Sequence, residues 1–257
     1  PEFYAVDLEA GFLALSDFGD QQLLGLVQDE PEAVLSTLSE VMGLLKNVAR
    51  VDCTLPEYSA SMLRAEMDLF PTWYLTRLLG LTLTDEFWRV WQDVCDRLVV
   101  SALAEPQVFV HRDFHSRNIM VPSKGGLGLL DFQDAVRGPL SYDLVSLLKD
   151  CYVEYEPLMQ QTLVEDYRQA WLSDPRGQAM TPTAFFQSFE RMGLQRHLKC
   201  AGIFSRLCLR DGKARYLKDI PMVLNYIASI CERQPEFRDF YQWLQAFVLS
   251  DPMGRSA

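Results

Sequence analysis

The sequence predicts an α+β fold in which a mostly helical body carries a few short strands. Three observations lead there. Apolar residues recur at helical spacing over several long segments, and such stripes read as helices burying one face. Three short apolar runs lie mid-chain, Val108 to Val110, Ile119 to Val121 and Leu127 to Leu130. Two more, Tyr4 to Asp7 and Gly11 to Leu15, open the chain. Runs this short, broken by Pro, Gly and polar residues, read as strands.

In order, Glu9-Ala10-Gly11 turns the first two runs into a hairpin, and Ser16-Asp17-Phe18-Gly19 ends it. An isolated hairpin is marginal in water, so the chain is expected to begin within a domain. Residues 31–49 read as a helix, with Pro31 in its first turn. Val34, Leu35, Leu38, Val41, Met42 and Leu45 form its apolar stripe. A second helix is expected from Pro56 to Phe70, stopping at Pro71. A third spans 85–103, with Phe87, Val90, Trp91, Val94 and Leu98 facing the core. Beyond the mid-chain strands, helices are expected from Ser141 through Tyr152, after Pro157, from Thr183 to about Leu209, and from Pro221. Residues 173–182 read as a linker and 250–257 as a frayed tail.

Composition narrows the function. With 257 residues and 49% hydrophobic content the chain can bury a large core. A net charge of −11 argues against a nucleic-acid-binding surface. No stretch approaches the roughly 18 apolar residues of a membrane span, and the start has no basic segment of a signal peptide. The six cysteines lack C-x-x-C spacing, which fits reduced thiols in a cytoplasmic protein.

The chemistry concentrates in VFVHRDFHSRNIM, followed by LLDF. His111, Asp113 and Asn118 have the spacing of the H-x-D-x-x-x-x-N loop of kinase-like phosphotransferases, and Asp131-Phe132-Gln133 stands where those enzymes place D-F-G. Phosphoryl transfer is mostly positioning and electrostatics. Asp113 is placed to orient an acceptor hydroxyl and take its proton. Asn118 and Asp131 supply the hard oxygen ligands that Mg²⁺ on nucleotide phosphates requires. The plainer alternative is a β-hairpin whose His and Asp are turn residues.

HRDFHSRN, LLDFQDAVRGPLSYD and QRHLKCAGIFSRLCLRDGKARYLKDIP resemble the aminoglycoside phosphotransferase and choline kinase-like superfamily. Within it they are most similar to the bacterial subgroup that phosphorylates the anomeric hydroxyl of N-acetylmuramate or N-acetylglucosamine in cell-wall recycling. The resemblance covers nearly the whole chain. It implies a protein kinase-like fold, ATP as donor, Mg²⁺, and a small-molecule sugar as partner. Residues 1–19 would be the remnant of an N-lobe, its last two strands and hinge. Residues 20–257 would be a helical C-lobe with the catalytic and metal-binding loops. Asp113 would be the base, and Asn118 and Asp131 the metal ligands. Ser16, Asp17 and Phe18 would lie in the hinge that holds adenine. His111 and Asp143 would support the loop. The pattern departs in two places: the Gly-rich loop, the β3 Lys and the αC Glu are absent, and Arg112 stands where many relatives carry Gly.

Other readings stay open. A protein kinase would need an activation loop, yet Tyr142 follows Asp131 by only eleven residues and no A-P-E element occurs. A non-catalytic kinase-like module and an aminoglycoside or other small-alcohol phosphotransferase are the remaining alternatives. Arg191 to Lys218 holds eight of the 24 Lys and Arg residues and one acid, Asp211. Such a field attracts anions, unless acidic helices balance it. Arg196, His197 and Lys199 are the leading substrate-binding candidates, followed by Arg206 and Arg210. A lactyl carboxylate on the acceptor would suit them. The oligomeric state is not legible.

Overall fold

The computed structural model describes residues 1–29 and 34–250. Pro31, the side chains of Val34 and Leu35, and the tail beyond Ser250 lie outside the described residues. The element order is β1 (Phe3–Asp7), β2 (Phe12–Leu15), α1 (Leu23–Asp29), α2 (Val34–Val48), α3 (Ala60–Met67), a π-helical stretch (Phe70–Leu78) and α4 (Asp85–Ala104). Then come β3 (Gln107–Val110), β4 (Ile119–Met120), β5 (Gly128–Leu129), β6 (Val136–Pro139), α5 (Tyr142–Leu148), α6 (Pro157–Gln169) and α7 (Pro182–Leu209). A 3₁₀ turn (Ala214–Asp219), α8 (Ile220–Arg233) and α9 (Arg238–Phe247) complete it.

The described strands form three antiparallel pairs, β1 with β2, β3 with β6 and β4 with β5. Val110 pairs with Val136 and Ile119 with Leu129. The loop that leaves β3 and the segment that leaves β5 therefore emerge close together. All nine residues of β1 and β2 are exposed. Beyond the hairpin the chain returns to the body. The Val121 N–H donates to the Gln21 carbonyl at 2.9 Å, and the Phe18 ring covers Gly128, where a Cβ would lie 2.6 Å from Phe18 Cγ.

Helix ends follow from local chemistry. Thr84 and Thr181 cap α4 and α7, their hydroxyls accepting the Phe87 and Ala184 N–H groups. Pro182 fits the first turn of α7, where a missing N–H costs nothing. Pro71 does the same for the π-helical stretch. That corrects the expectation that Pro71 stops a helix: α3 ends at Met67, and the chain turns helically again across the proline. The helix expected through Tyr152 ends at Leu148, and sequence patterning missed α1, β6 and α9.

Helix α7 is the spine. It packs against α3 to α6, α8, the π-helical stretch and the 3₁₀ turn, and its interior half includes the fully buried Phe189, Leu194, Leu198 and Ala201. The crossing with the π-helical stretch leaves no room at Gly202, where a Cβ would lie 2.5 Å from Leu69 Cβ. At the end of α4, the buried Glu105 carboxylate accepts the Ser141 N–H at 2.9 Å and its hydroxyl at 2.8 Å. This fixes the start of α5.

Two outcomes are expected. Gly202→Ala should destabilise by about 1–3 kcal/mol in chemical denaturation, the cost of overpacking; an unchanged midpoint would mean Leu69 yields freely. Burial pushes the Glu105 carboxyl up to about 7, although the Ser141 bonds pull it down. Folding thus favours its acid form, and that stabilisation fades as pH rises through 7. Wild-type stability should therefore fall more steeply between about pH 5 and 8 than that of Glu105→Gln; parallel curves would clear Glu105 of this role.

Candidate active site

The loop between β3 and β4 is shaped by strain and by buried acceptors. Arg112 sits at φ 75° and Asp131 at φ 61°, a region that side chains seldom adopt. The Arg112 conformation accounts for the Gly expected there. Two bonds hold it: Asp143, in the first turn of α5, accepts the His111 N–H at 2.6 Å and the Arg112 N–H at 3.0 Å. Just past α5, Asp150 accepts the Ser116 N–H at 2.9 Å. His111 is fully buried against Phe114.

Asp113, Asn118 and Asp131 line one cavity of about 380 Å³. Asn118 Nδ2 donates to the Asp113 carbonyl at 3.0 Å, which leaves Oδ1 as its available ligand atom. Across the cavity stand Arg196 and Lys199 from α7, Arg117 and His115 from the loop, and an aromatic wall of Tyr152, Phe204 and Tyr216. The Tyr152 and Phe204 rings lie 6.3 Å apart, and Phe204 and Tyr216 5.5 Å. Larger cavities of about 750 and 740 Å³ lie elsewhere, but neither contains this group of residues.

Burial raises the Asp113 carboxyl, but Arg196, Lys199, His115 and Arg112 outweigh it and hold the group below its ordinary value. Asp113 is therefore ionised at neutral pH, as a proton acceptor must be. Asp143 feels the opposite balance. Burial pushes it to about 7, against the two N–H bonds that favour its ionised form.

The residues expected from sequence do not all converge. Asp113, Asn118, Asp131, Arg196 and Lys199 come together on the cavity. Arg196 and Lys199 spend donors on protein partners: Arg196 on Ser146 Oγ (2.6 Å) and Cys200 Sγ (2.9 Å), Lys199 on Glu66 (3.1 Å) and Tyr142 (3.0 Å). His197 does not join them. It is fully buried, stacked on Tyr226, with its ring nitrogens against the Gly193 and Lys149 carbonyls. Ser16, Asp17 and Phe18 lie apart from the cavity lining. Asp17 accepts the Gly19 N–H, and the Phe18 ring packs on Gly128 of β5, which does not line the cavity. Arg210 is spent on exposed Asp211.

Glu66 was missed. Its buried carboxylate gathers the Tyr58 hydroxyl, Arg112, Lys199 and Gln195. A signal existed, a charge beside the fully buried Leu63 and Met67 on the interior face of α3. Arg117, next to Asn118, and Asp150 were also missed.

The sequence and the fold have known counterparts. The chain is 41% identical over its full length to an N-acetylmuramate/N-acetylglucosamine kinase of Pseudomonas aeruginosa, covering 75% of that protein. A kinase of the same name from Pseudomonas putida is 42% identical over 93% of the chain and 70% of that protein. An ethanolamine kinase of Plasmodium vivax shares the fold, with a TM-score of 0.60, 11% identity, and coverage of 93% of this chain and 69% of that one. A model of the phosphotransferase enzyme family matches residues 1–180. The chain with this carboxylate-lined cavity belongs to the phosphotransferase enzyme family.

Proposed function

We propose that the protein is an ATP-dependent kinase that phosphorylates the anomeric hydroxyl of N-acetylmuramate or N-acetylglucosamine, in the reuse of cell-wall sugars in the cytoplasm. The observation that carries this reading is the convergence of Asp113, Asn118 and Asp131 on one cavity, in a chain 41% identical to a kinase named for those two sugars.

Asp113 orients the acceptor hydroxyl and takes its proton. Its depressed pKa keeps the base form present at neutral pH. Asn118 Oδ1 and the Asp131 carboxylate are hard oxygen donors that fit Mg²⁺. That ion is held through one or two protein ligands plus substrate phosphates. When bound, Mg²⁺ neutralises charge on the transferring phosphoryl group. Arg196 tunes Asp113 rather than reading substrate, since its guanidinium is engaged by Ser146 and Cys200. The aromatic wall offers apolar faces for a sugar ring. The Ser16 to Phe18 segment would hold adenine from the far side of β5, with residues 1–19 and 20–257 as the two lobes.

An aminoglycoside is the second acceptor class. Arg117, Arg196 and Lys199 line the cavity beside Asp113, Asp131 and Asp150, so no excess of negative charge there favours a polycation.

The test is to incubate the protein with ATP, Mg²⁺ and a panel of amino sugars and aminoglycosides, and to locate the new phosphate by phosphorus NMR. A sugar 1-phosphate is expected; product only on an aminoglycoside, or no product at all, would overturn the reading. Asp113→Ala should lower kcat by about 10²–10⁴. Wild-type turnover in that variant would remove Asp113 as the base.

A further inference from the structure

The geometry assigns Arg117, held against Tyr152, as the residue that binds a carboxylate on the acceptor sugar. Arg117 is the penultimate residue of the catalytic loop, between Ser116, whose N–H is tied to Asp150, and Asn118. It lines the cavity of Asp113 and Asp131. Its guanidinium carbon lies 3.5 Å from the centre of the Tyr152 ring. One face of the guanidinium is thus covered, and the cation–π contact fixes its plane. The N–H edge is not used: among the described residues Arg117 makes no ion pair and no side-chain hydrogen bond. Asp219 feels its charge, which lowers the Asp219 carboxyl against the stronger effect of burial, without forming an ion pair.

The other two cations of the cavity are already committed, Arg196 to Ser146 and Cys200 and Lys199 to Glu66 and Tyr142. A planar fork with its face stacked and its edge open suits a two-oxygen anion, which it can grip through two parallel bonds. Nucleotide phosphate is an anion too. The acceptor is favoured because Arg117 rests on the aromatic wall of Tyr152, Phe204 and Tyr216, which suits a sugar ring.

This assignment rests on the proposed amino-sugar kinase activity and deepens it. N-acetylmuramate carries the carboxylate and N-acetylglucosamine lacks it, so the two substrates separate the role. Arg117→Ala should raise KM for N-acetylmuramate roughly 10- to 100-fold, the scale of a charged hydrogen bond pair. It should leave KM for N-acetylglucosamine within about threefold, and that turnover also reports folding. Arg117→Lys should recover part of the loss. Equal losses on both sugars with a raised KM for ATP would place phosphate at Arg117 and overturn the assignment, as would no change on either. If wild type phosphorylates neither sugar, the kinase reading falls alone, and calorimetry still decides the site. Wild type should bind N-acetylmuramate at least about tenfold more tightly than its methyl ester, and Arg117→Ala should not distinguish them. Equal wild-type affinity for acid and ester would overturn the assignment.

Discussion

Everything in the site depends on the bonds between the Asp143 carboxylate and two backbone N–H groups of the loop. Each such bond contributes about 0.5–1.5 kcal/mol, rising to about 1.5–3 kcal/mol when the carboxyl is ionised, and more is lost when a buried partner is stranded. That is the scale needed to keep Arg112 at positive φ, which costs of order 1–3 kcal/mol. Asp150, beyond the other end of the same short helix, holds Ser116. The loop is pinned on both sides of Asp113, and α5 sets the spacing of the pins. Helix α5 is itself set by Glu105, through Ser141. The position of Asp113 is therefore transmitted from α4 through one buried carboxyl and one short helix.

A second constraint is charge. Glu66 is buried, and so are Arg196 and Lys199. Buried charges persist only when paired and hydrogen-bonded. Glu66 satisfies Arg112 from the loop and Lys199 from α7, with Tyr58 and Gln195 completing its shell. This arrangement brings the two cations near Asp113 without consuming it, so the Asp113 carboxylate stays ionised although largely buried. Structure and reactivity share one network here: removing Glu66 would strand two cations and disturb the field at Asp113.

Legibility in the sequence tracked sequence distance. The loop motif, the strands around it and the long stripe of α7 are local patterns, and the fold brought Asp113, Asn118 and Asp131 to one cavity. Helix ends at Pro71 and Leu148 were misjudged because a proline can open a helix as well as close one, and because apolar patterning continues past α5. Glu66 and Asp150 escaped notice because their partners lie 46 and 34 residues away. His197 failed for a geometric reason. Arg196 and Lys199 are three apart on α7 and share a face, whereas His197 is turned about a third of a circle away, into Tyr226.

The basic segment from Arg191 to Lys218 shows why a charge run is a poor guide to a binding site. Read as a sequence, it is one positive field. Folded, it disperses: Arg191 meets Glu236 at 2.7 Å, Lys199 meets Glu66, and Arg210 meets Asp211. Each pairing removes a cation from competition for substrate, and each partner comes from a place that charge counting cannot weigh. Among the described residues, the cavity-lining cation without an ion pair or side-chain hydrogen bond is Arg117, which lies outside the segment, in a loop whose charge looks unremarkable. What distinguishes it is geometry. A ring beneath it supplies an attractive contact that takes no hydrogen-bond donor, so position is fixed while the N–H groups stay available. On the proposed reading, selectivity for an anionic acceptor would follow from unspent donors rather than from net charge, and an acidic protein can hold such a site without contradiction.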